Sequence, residues 1–300
     1  MEISLLIKAT RINFIPASVI PLFMGIAMAL RNGFEVSPLK AVLCMAGVVS
    51  AHIAGNVVND ICDHKSGADL VDDRRSPFFG GSKVIKDGLL GSREMLLIAI
   101  VFFSVSSACG FTLFLMTKDP VILIMMIAAG VLTVGYSAPP LKLSYRGLGE
   151  ADIFLLFGVL PVAGVYYVLT QKAGWEPVML SLPIAFLITS VIFCNEVPDF
   201  PADRVSGKLN MISLTGPAVA YRMYIAIVLL AYLCILLNVI AGFLSPIALV
   251  LCVFSILGIK AALAMKKSYN DIEKMIVASG WTIALHFLTG AGLITITFLK

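Results

Sequence analysis

The chain has 300 residues, 59% hydrophobic and only 13% charged, with a mean hydropathy of +0.98. A soluble fold this apolar could not cover its surface, so its solvent is lipid, and the expected fold class is an all-α membrane protein. The net charge of +4 is spread between hydrophobic runs rather than gathered in a basic domain, which excludes a nucleic-acid partner.

Nine stretches are long and apolar enough to cross a bilayer, each bounded by Pro, Gly or charges. In chain order they lie near 13–30, 38–58, 95–116, 120–137, 151–170, 177–195, 223–243, 246–264 and 277–299. The segment before the first carries Glu2 and Lys8 and lacks a small-residue cleavage pattern, so no removable signal peptide is expected. Gly242, Ser245 and Pro246 mark a tight reversal between the seventh and eighth stretches. The reading is one domain over residues 1–300, a bundle of nine transmembrane helices. With the N-terminus cytoplasmic, seventeen Lys and Arg lie on the inner side against five outside: Arg31, Lys40, Lys118, Lys172 and Lys300. Residues 59–94 and 196–222 form the long polar connections, both cytoplasmic, and the active site is expected to face that side.

Two segments at the ends of spans hold most of the acidic residues. The first runs from Asn56 through Asn59, Asp60, Asp63, Ser66 and Gly67 to Asp69. The second runs from Asn195 through Glu196, Asp199, Asp203, Ser206 and Gly207 to Lys208. Aligning Asn56 with Asn195 places Asp60 on Asp199 and, with one insertion, Asp63 on Asp203, a pseudo-repeat of 56–69 and 195–208. Asn at i and Asp at i+4 share a helix face, so each segment offers a stripe of oxygen ligands. Two such stripes across a cavity would repel without cations, and Mg²⁺ suits their hard oxygen donors. The expected metal ligands are Asn56, Asp60, Asp63, Asn195, Asp199 and Asp203.

Groups able to hold an anion follow each acidic segment. The first loop continues through Arg75 to a Gly80-Gly81-Ser82 turn and Lys83, where backbone N–H groups can face phosphate oxygens. After the fourth span, Pro139-Pro140 stops the helix and leaves Tyr136 and Lys142 at the cytoplasmic end.

The paired Asn-x-x-x-Asp segments, the Tyr136 to Lys142 loop and the nine spans together resemble the UbiA superfamily of membrane prenyltransferases over nearly the whole chain. The resemblance implies a polyprenyl diphosphate and an aromatic or other acceptor as substrates, Mg²⁺ as cofactor, and a central cavity open sideways to lipid. It implies Asp60, Asp63, Asp199, Asp203, Tyr136 and Lys142 as catalytic residues. It also implies a diphosphate site of Asn59, Arg75, Lys83, Lys142 and Lys208. Asn56-Val-Val-Asn59-Asp60, Gly80-Gly81-Ser82 and Tyr145-Arg146-Gly147-Leu148-Gly149-Glu150 are similar to the branch that prenylates 1,4-dihydroxy-2-naphthoate in menaquinone synthesis. Pro198 before Asp199, Leu209-Asn210-Met211 after Lys208 and Ser76 after Arg75 depart from that branch. Beside the naphthoate, 4-hydroxybenzoate, homogentisate, a glycerol phosphate lipid or, in cyclising relatives, no acceptor stay open. Internal repeats with polar residues in the spans also leave a secondary transporter as the rival of another class. The expected location is a prokaryotic inner membrane, with no obligate protein partner. Asp63, Glu196 and Asp69 are equal candidates for the proton acceptor.

The remaining reactive residues read as background. The cysteines lack metal-ligand spacing. His52 and His286 read as hydrogen-bonded bundle residues, Trp175 and Trp281 as interfacial anchors, and Met125-Met126 as lipid- or tail-facing packing.

Overall fold

A computed structural model describes residues 2–71 and 76–299. Among these residues there is no strand. After a short helix, Ile3–Thr10, eight helices are long and apolar enough to cross a membrane. They are α1 Ile12–Arg31, α2 Pro38–Ser66, α3 Ser92–Thr117, α5 Gly149–Thr170, α6 Trp175–Ser206, α7 Pro217–Ile240, α8 Pro246–Ser268 and α9 Ile272–Phe298. The ninth expected span is α4, Pro120–Gly135, which is apolar but only 16 residues long. At 1.5 Å per residue it reaches about 24 Å, short of the roughly 30 Å hydrocarbon core.

Local chemistry sets the helix ends. Ser37 caps α2, accepting from the Lys40 N–H, and Pro38 occupies the first helical position, where its missing N–H costs nothing. The reversal before α8 sits where expected, with Gly242 at φ +74°. One expectation is corrected: the polar connections do not begin at residues 59 and 196. Both α2 and α6 continue as helix for two to three turns beyond their apolar stretches. Each stops at a glycine in the left-handed region, Gly67 at φ +83° and Gly207 at φ +79°. The two ends are built alike, since Ser66 Oγ donates to the Asp63 carbonyl (3.1 Å) and Ser206 Oγ to the Asp203 carbonyl (3.0 Å). The helix carries on because 29 and 32 residues span about 44 and 48 Å, leaving acidic turns outside the lipid. α4, in contrast, ends at Gly135, ahead of the two prolines.

α6 is the central helix, with 72% of its most apolar window buried against 17–50% for the others. It packs on α5, α7 and α9, while α2 packs mainly on α3, and α1 on α5 and α9. Close approach of α5 and α6 depends on Gly158, where a Cβ would fall 2.2 Å from that of Ala185. That contact lies in a π-turn, Leu155–Val159. The acidic ends of α2 and α6, the 76–91 loop and the α4–α5 connection meet at one end of the bundle.

Candidate active site

The cavity enclosed there has a volume of about 390 Å³. Its wall from α2 is a stripe of Val48, His52, Asn56, Asn59 and Asp63, and its wall from α6 runs through Ile188, Val191, Ile192, Asn195, Glu196, Asp199 and Asp203. The spacing of three and four residues keeps each set on one helix face. The deeper part is apolar, with Leu43, Phe103, Leu113, Met125, Met126 and Leu160. The cavity therefore has a polar mouth and a hydrocarbon-like interior.

Asp60 behaves differently from the other expected ligands, because it does not line the cavity. It lies about 100° around the helix axis from Asn59. From there it accepts from the Ser82 N–H (3.2 Å) and pairs with Arg11 (3.5 Å). Asp199 accepts from the Gly80 N–H (3.2 Å). The glycine turn, read from sequence as a phosphate cradle, thus spends two N–H groups bridging the two acidic motifs. The turn must stay small: Gly81 has φ +71°, and a Cβ on it would meet Asp60 Oδ1 at 3.2 Å and Asp69 Oδ1 at 3.4 Å.

Lys208 joins the two motifs, with Nζ 2.7 Å from Asp63 Oδ1 and 3.7 Å from Asp203 Oδ1. Burial alone would depress its pKa. The two carboxylates outweigh that and hold it well above the usual lysine value. Asn59 Nδ2 donates to Asp63 (3.0 Å) while its own carbonyl accepts from Ser137 Oγ (2.6 Å), and Asn210 Nδ2 donates to Asp203 (2.8 Å). Lys83, buried at φ +59°, pairs with Asp69 at 3.0 Å. Burial raises the Asp69 pKa even against that pairing. Tyr136 lines the cavity, and burial, reinforced by Glu196, keeps its phenol protonated well above the ordinary range.

Among the described residues, two expected site residues, Asp60 and Lys142, are not brought into the cavity wall. Lys142 lies over the Tyr145 ring, 4.6 Å from its centroid, and does not line the cavity. Arg75 lies outside the described residues. The sequence reading missed Arg11, Asn210, Asp152 and Ser137. Arg11 is remote in sequence from Asp60, and Asn210, though only seven residues after Asp203, lies beyond the helix-ending Gly207, where helical spacing no longer announces a contact.

Of the background residues, His52 accepts or donates a 2.7 Å bond with Ser18 Oγ and packs edge-on against Phe157, as expected of a bundle histidine, but it also lines the cavity. His286 departs from expectation: both its ring nitrogens are buried without a hydrogen-bond partner among the described residues. Trp175 is 76% exposed, and Met125 and Met126 face the cavity. All six cysteines are free.

Among the described residues, six acidic side chains line the cavity against three basic ones, Arg11, Lys83 and Lys208. The oxygen donors have the hard chemistry that Mg²⁺ prefers, and Asn195 Oδ1 is buried with no hydrogen-bond partner among the described residues. No three carboxylate, His or Cys side chains among the described residues converge as a preformed metal cluster. The residues fit a cation whose shell is completed by ligand oxygens and water.

A helical bundle with an acidic mouth over an apolar interior defines a multi-pass integral membrane protein built around an amphipathic substrate. Residues 18–289 match the UbiA prenyltransferase family, and the chain belongs to that family of prenyltransferases. It is 26% identical over 218 residues to UbiA prenyltransferase domain-containing protein 1 of Xenopus tropicalis, covering 72% of this chain and 61% of that protein. The chain therefore spans under two thirds of that relative's length. It is 28% identical over 233 residues to the Dictyostelium discoideum protein of the same name, covering 76% and 69%. The fold is shared with the apo structure of a UbiA homolog from Aeropyrum pernix K1 (TM-score 0.69, 18% identity, 93% of this chain and 97% of that one). It is also shared with a UbiA homolog from Archaeoglobus fulgidus bound to DMAPP and Mg²⁺ (TM-score 0.63, 18% identity, 97% and 99%).

Proposed function

We propose that the protein transfers a polyprenyl group from its diphosphate to an aromatic acceptor within the membrane, with Mg²⁺ as cofactor. The acceptor in this reading is 1,4-dihydroxy-2-naphthoate, for menaquinone synthesis, in a nine-span protein of a prokaryotic inner membrane whose site faces the cytoplasm. One observation carries the reaction class: the two acidic segments share a single cavity whose interior is apolar. A polyprenyl chain suits that interior at about 0.8 kcal/mol per buried CH₂. The acidic excess at the mouth would repel a diphosphate unless divalent cations bound with it. The bound DMAPP and Mg²⁺ of the Archaeoglobus homolog support the same pairing. The acceptor rests on the Asn56 to Asp60, Gly80 to Ser82 and Tyr145 to Glu150 phrases, and the orientation rests on the distribution of Lys and Arg.

Asn56, Asp63, Asn195, Asp199 and Asp203, which line the cavity, would hold the cation, joined by Asp60 if it leaves Arg11 and Ser82. When bound, the cation would neutralise the diphosphate and improve it as a leaving group. Lys83 and Lys208 add positive charge at that end, Arg75 is kept from the sequence alone as a further diphosphate-binding residue, and Tyr136 offers a hydroxyl proton to a phosphate oxygen. The allylic C–O bond breaks with its electron pair going to the diphosphate. A ring carbon of the acceptor forms the new C–C bond and then gives up its proton to a carboxylate of the cavity, Asp63, Asp69 or Glu196. The apolar wall keeps water from the cationic carbon. Lys142, held over Tyr145, would act by shaping the α4–α5 connection or by swinging inward.

The test is product formation by purified protein with Mg²⁺, geranylgeranyl diphosphate and a panel of 1,4-dihydroxy-2-naphthoate, 4-hydroxybenzoate, homogentisate and a glycerol phosphate lipid. The last is included because a digeranylgeranylglyceryl phosphate synthase shares the fold (TM-score 0.63, 18% identity). Prenylated naphthoate that vanishes with EDTA, and in Asp60→Ala and Asp199→Ala, is expected. No diphosphate release from folded protein with any acceptor would overturn the reading.

A further inference from the structure

Asp152 stands apart from the other acidic residues of the cavity. It sits in the first turn of α5 and is 3% exposed. It heads the cavity-facing stripe of that helix, followed by Ile153, Leu156 and Phe157. Asp63, Asp69, Asp199 and Asp203 each have a protein partner, from Asn59, Lys83, Gly80 and Asn210 respectively, and Glu196 has only one of its two oxygens buried without a partner among the described residues. Neither carboxyl oxygen of Asp152 has a hydrogen-bond partner among the described residues. A buried polar group left unpaired is costly, so its retention points to a donor supplied from outside the chain.

The chemistry of that donor can be narrowed. A diphosphate is the poorer match, because a carboxylate and a phosphate oxygen repel and the cavity's cations, Arg11, Lys83 and Lys208, are held by the other acidic residues rather than by Asp152. The polyprenyl tail has no donor at all. A divalent cation needs several oxygens around it, whereas the side chains that follow Asp152 along the wall, Ile153, Leu156 and Phe157, offer none. What remains is an O–H on a flat apolar body, which would lie along Ile153, Leu156 and Phe157 and donate to Asp152. This is the description of the second substrate.

We propose that Asp152 binds the acceptor, receiving a hydrogen bond from a ring hydroxyl and so selecting hydroxylated aromatics that present a donor rather than a carboxylate at that edge. This rests on the prenyl-transfer reading above. It adds a selection rule: the hydroxyl of the acceptor lies toward α5, and any carboxylate on the ring points away from it.

The experiment compares wild type, Asp152→Asn and Asp152→Leu with geranylgeranyl diphosphate, Mg²⁺ and the hydroxylated aromatic that wild type prenylates, 1,4-dihydroxy-2-naphthoate being tried first. The KM is measured for both substrates. Ki is measured for the acceptor's analogues lacking one hydroxyl (for the naphthoate, 1-hydroxy-2-naphthoate and 4-hydroxy-2-naphthoate). A hydrogen bond to a carboxylate leads us to expect an acceptor KM raised ~10- to 100-fold in Asp152→Leu and less in Asp152→Asn, which keeps one acceptor oxygen. The KM for geranylgeranyl diphosphate stays within about twofold, which also shows that the variants are folded. In wild type one analogue binds ~10-fold more weakly than the full acceptor, and that penalty disappears in Asp152→Leu. An unchanged acceptor KM in Asp152→Leu, a larger change for geranylgeranyl diphosphate than for acceptor, or a hydroxyl penalty that survives the substitution would overturn the assignment. If wild type prenylates no hydroxylated aromatic, the underlying reading fails, and this assignment falls with it.

Discussion

Lys208→Met tests whether the two acidic motifs are held together by one cation. Methionine keeps the length and apolar stem of the lysine, so the loss reports the charge. Removing one partner from a buried ion pair costs about 3–5 kcal/mol. Here the low end applies, about 3 kcal/mol, because Asp63 keeps Asn59 at 3.0 Å and Asp203 keeps Asn210 at 2.8 Å. With Asp63→Asn already in place, Lys208 retains only the 3.7 Å contact to Asp203, and its removal then costs about 1 kcal/mol. A double-mutant cycle should therefore give a coupling of about 2 kcal/mol, read from equilibrium unfolding in mixed detergent micelles. The pH dependence has a definite sign. The folded-state pKa of Lys208 lies above its unfolded value, so its contribution is fully present below the ordinary lysine pKa of 10.5 and is lost only as pH rises beyond it. The cycle should give the same coupling at pH 6.5 and pH 8.5. Additivity within about 0.5 kcal/mol would show that the ion pair holds nothing together and would refute the argument.

Two further perturbations probe the turn and the hydroxyl. Gly81→Ala should cost about 1–2 kcal/mol from its left-handed backbone and raise the KM for prenyl diphosphate, since its Cβ would press on Asp60 and Asp69. Gly33→Ala, at φ +77° in open space, should cost as much stability and leave that KM unchanged, and equal KM effects would refute a role for the turn. Tyr136→Phe should lower kcat/KM for prenyl diphosphate about tenfold, the loss of one hydrogen bond. Because its phenol is held above the usual tyrosine value, the wild-type rate should show no decline attributable to Tyr136 up to pH 10, so an alkaline limb that Tyr136→Phe abolishes would count against its role as a proton-bearing donor.

The repeat of acidic motifs was legible because helical spacing is local: the pitch puts Asn195, Asp199 and Asp203 on one face. For the first motif it offered Asn56, Asp60 and Asp63, and only the fold shows Asn59 in place of Asp60 in the cavity wall. The apolar stretches were legible for the same reason, since lipid demands about 20 consecutive apolar residues whatever the neighbours are. Their true ends were less so. The helices run on to Gly67 and Gly207 because backbone hydrogen bonding continues past the membrane edge, where hydropathy gives no signal. What only the tertiary structure decided is which partner each charge meets. Asp60 turns aside to Arg11 and Ser82, Lys208 bridges Asp63 and Asp203, and Lys142 rests on Tyr145 instead of entering the cavity. Asp152 was invisible in the sequence because nothing near it in the chain marks it. Its significance lies in the absence of a partner from helices far away in sequence, and such an absence exists only once the chain is folded.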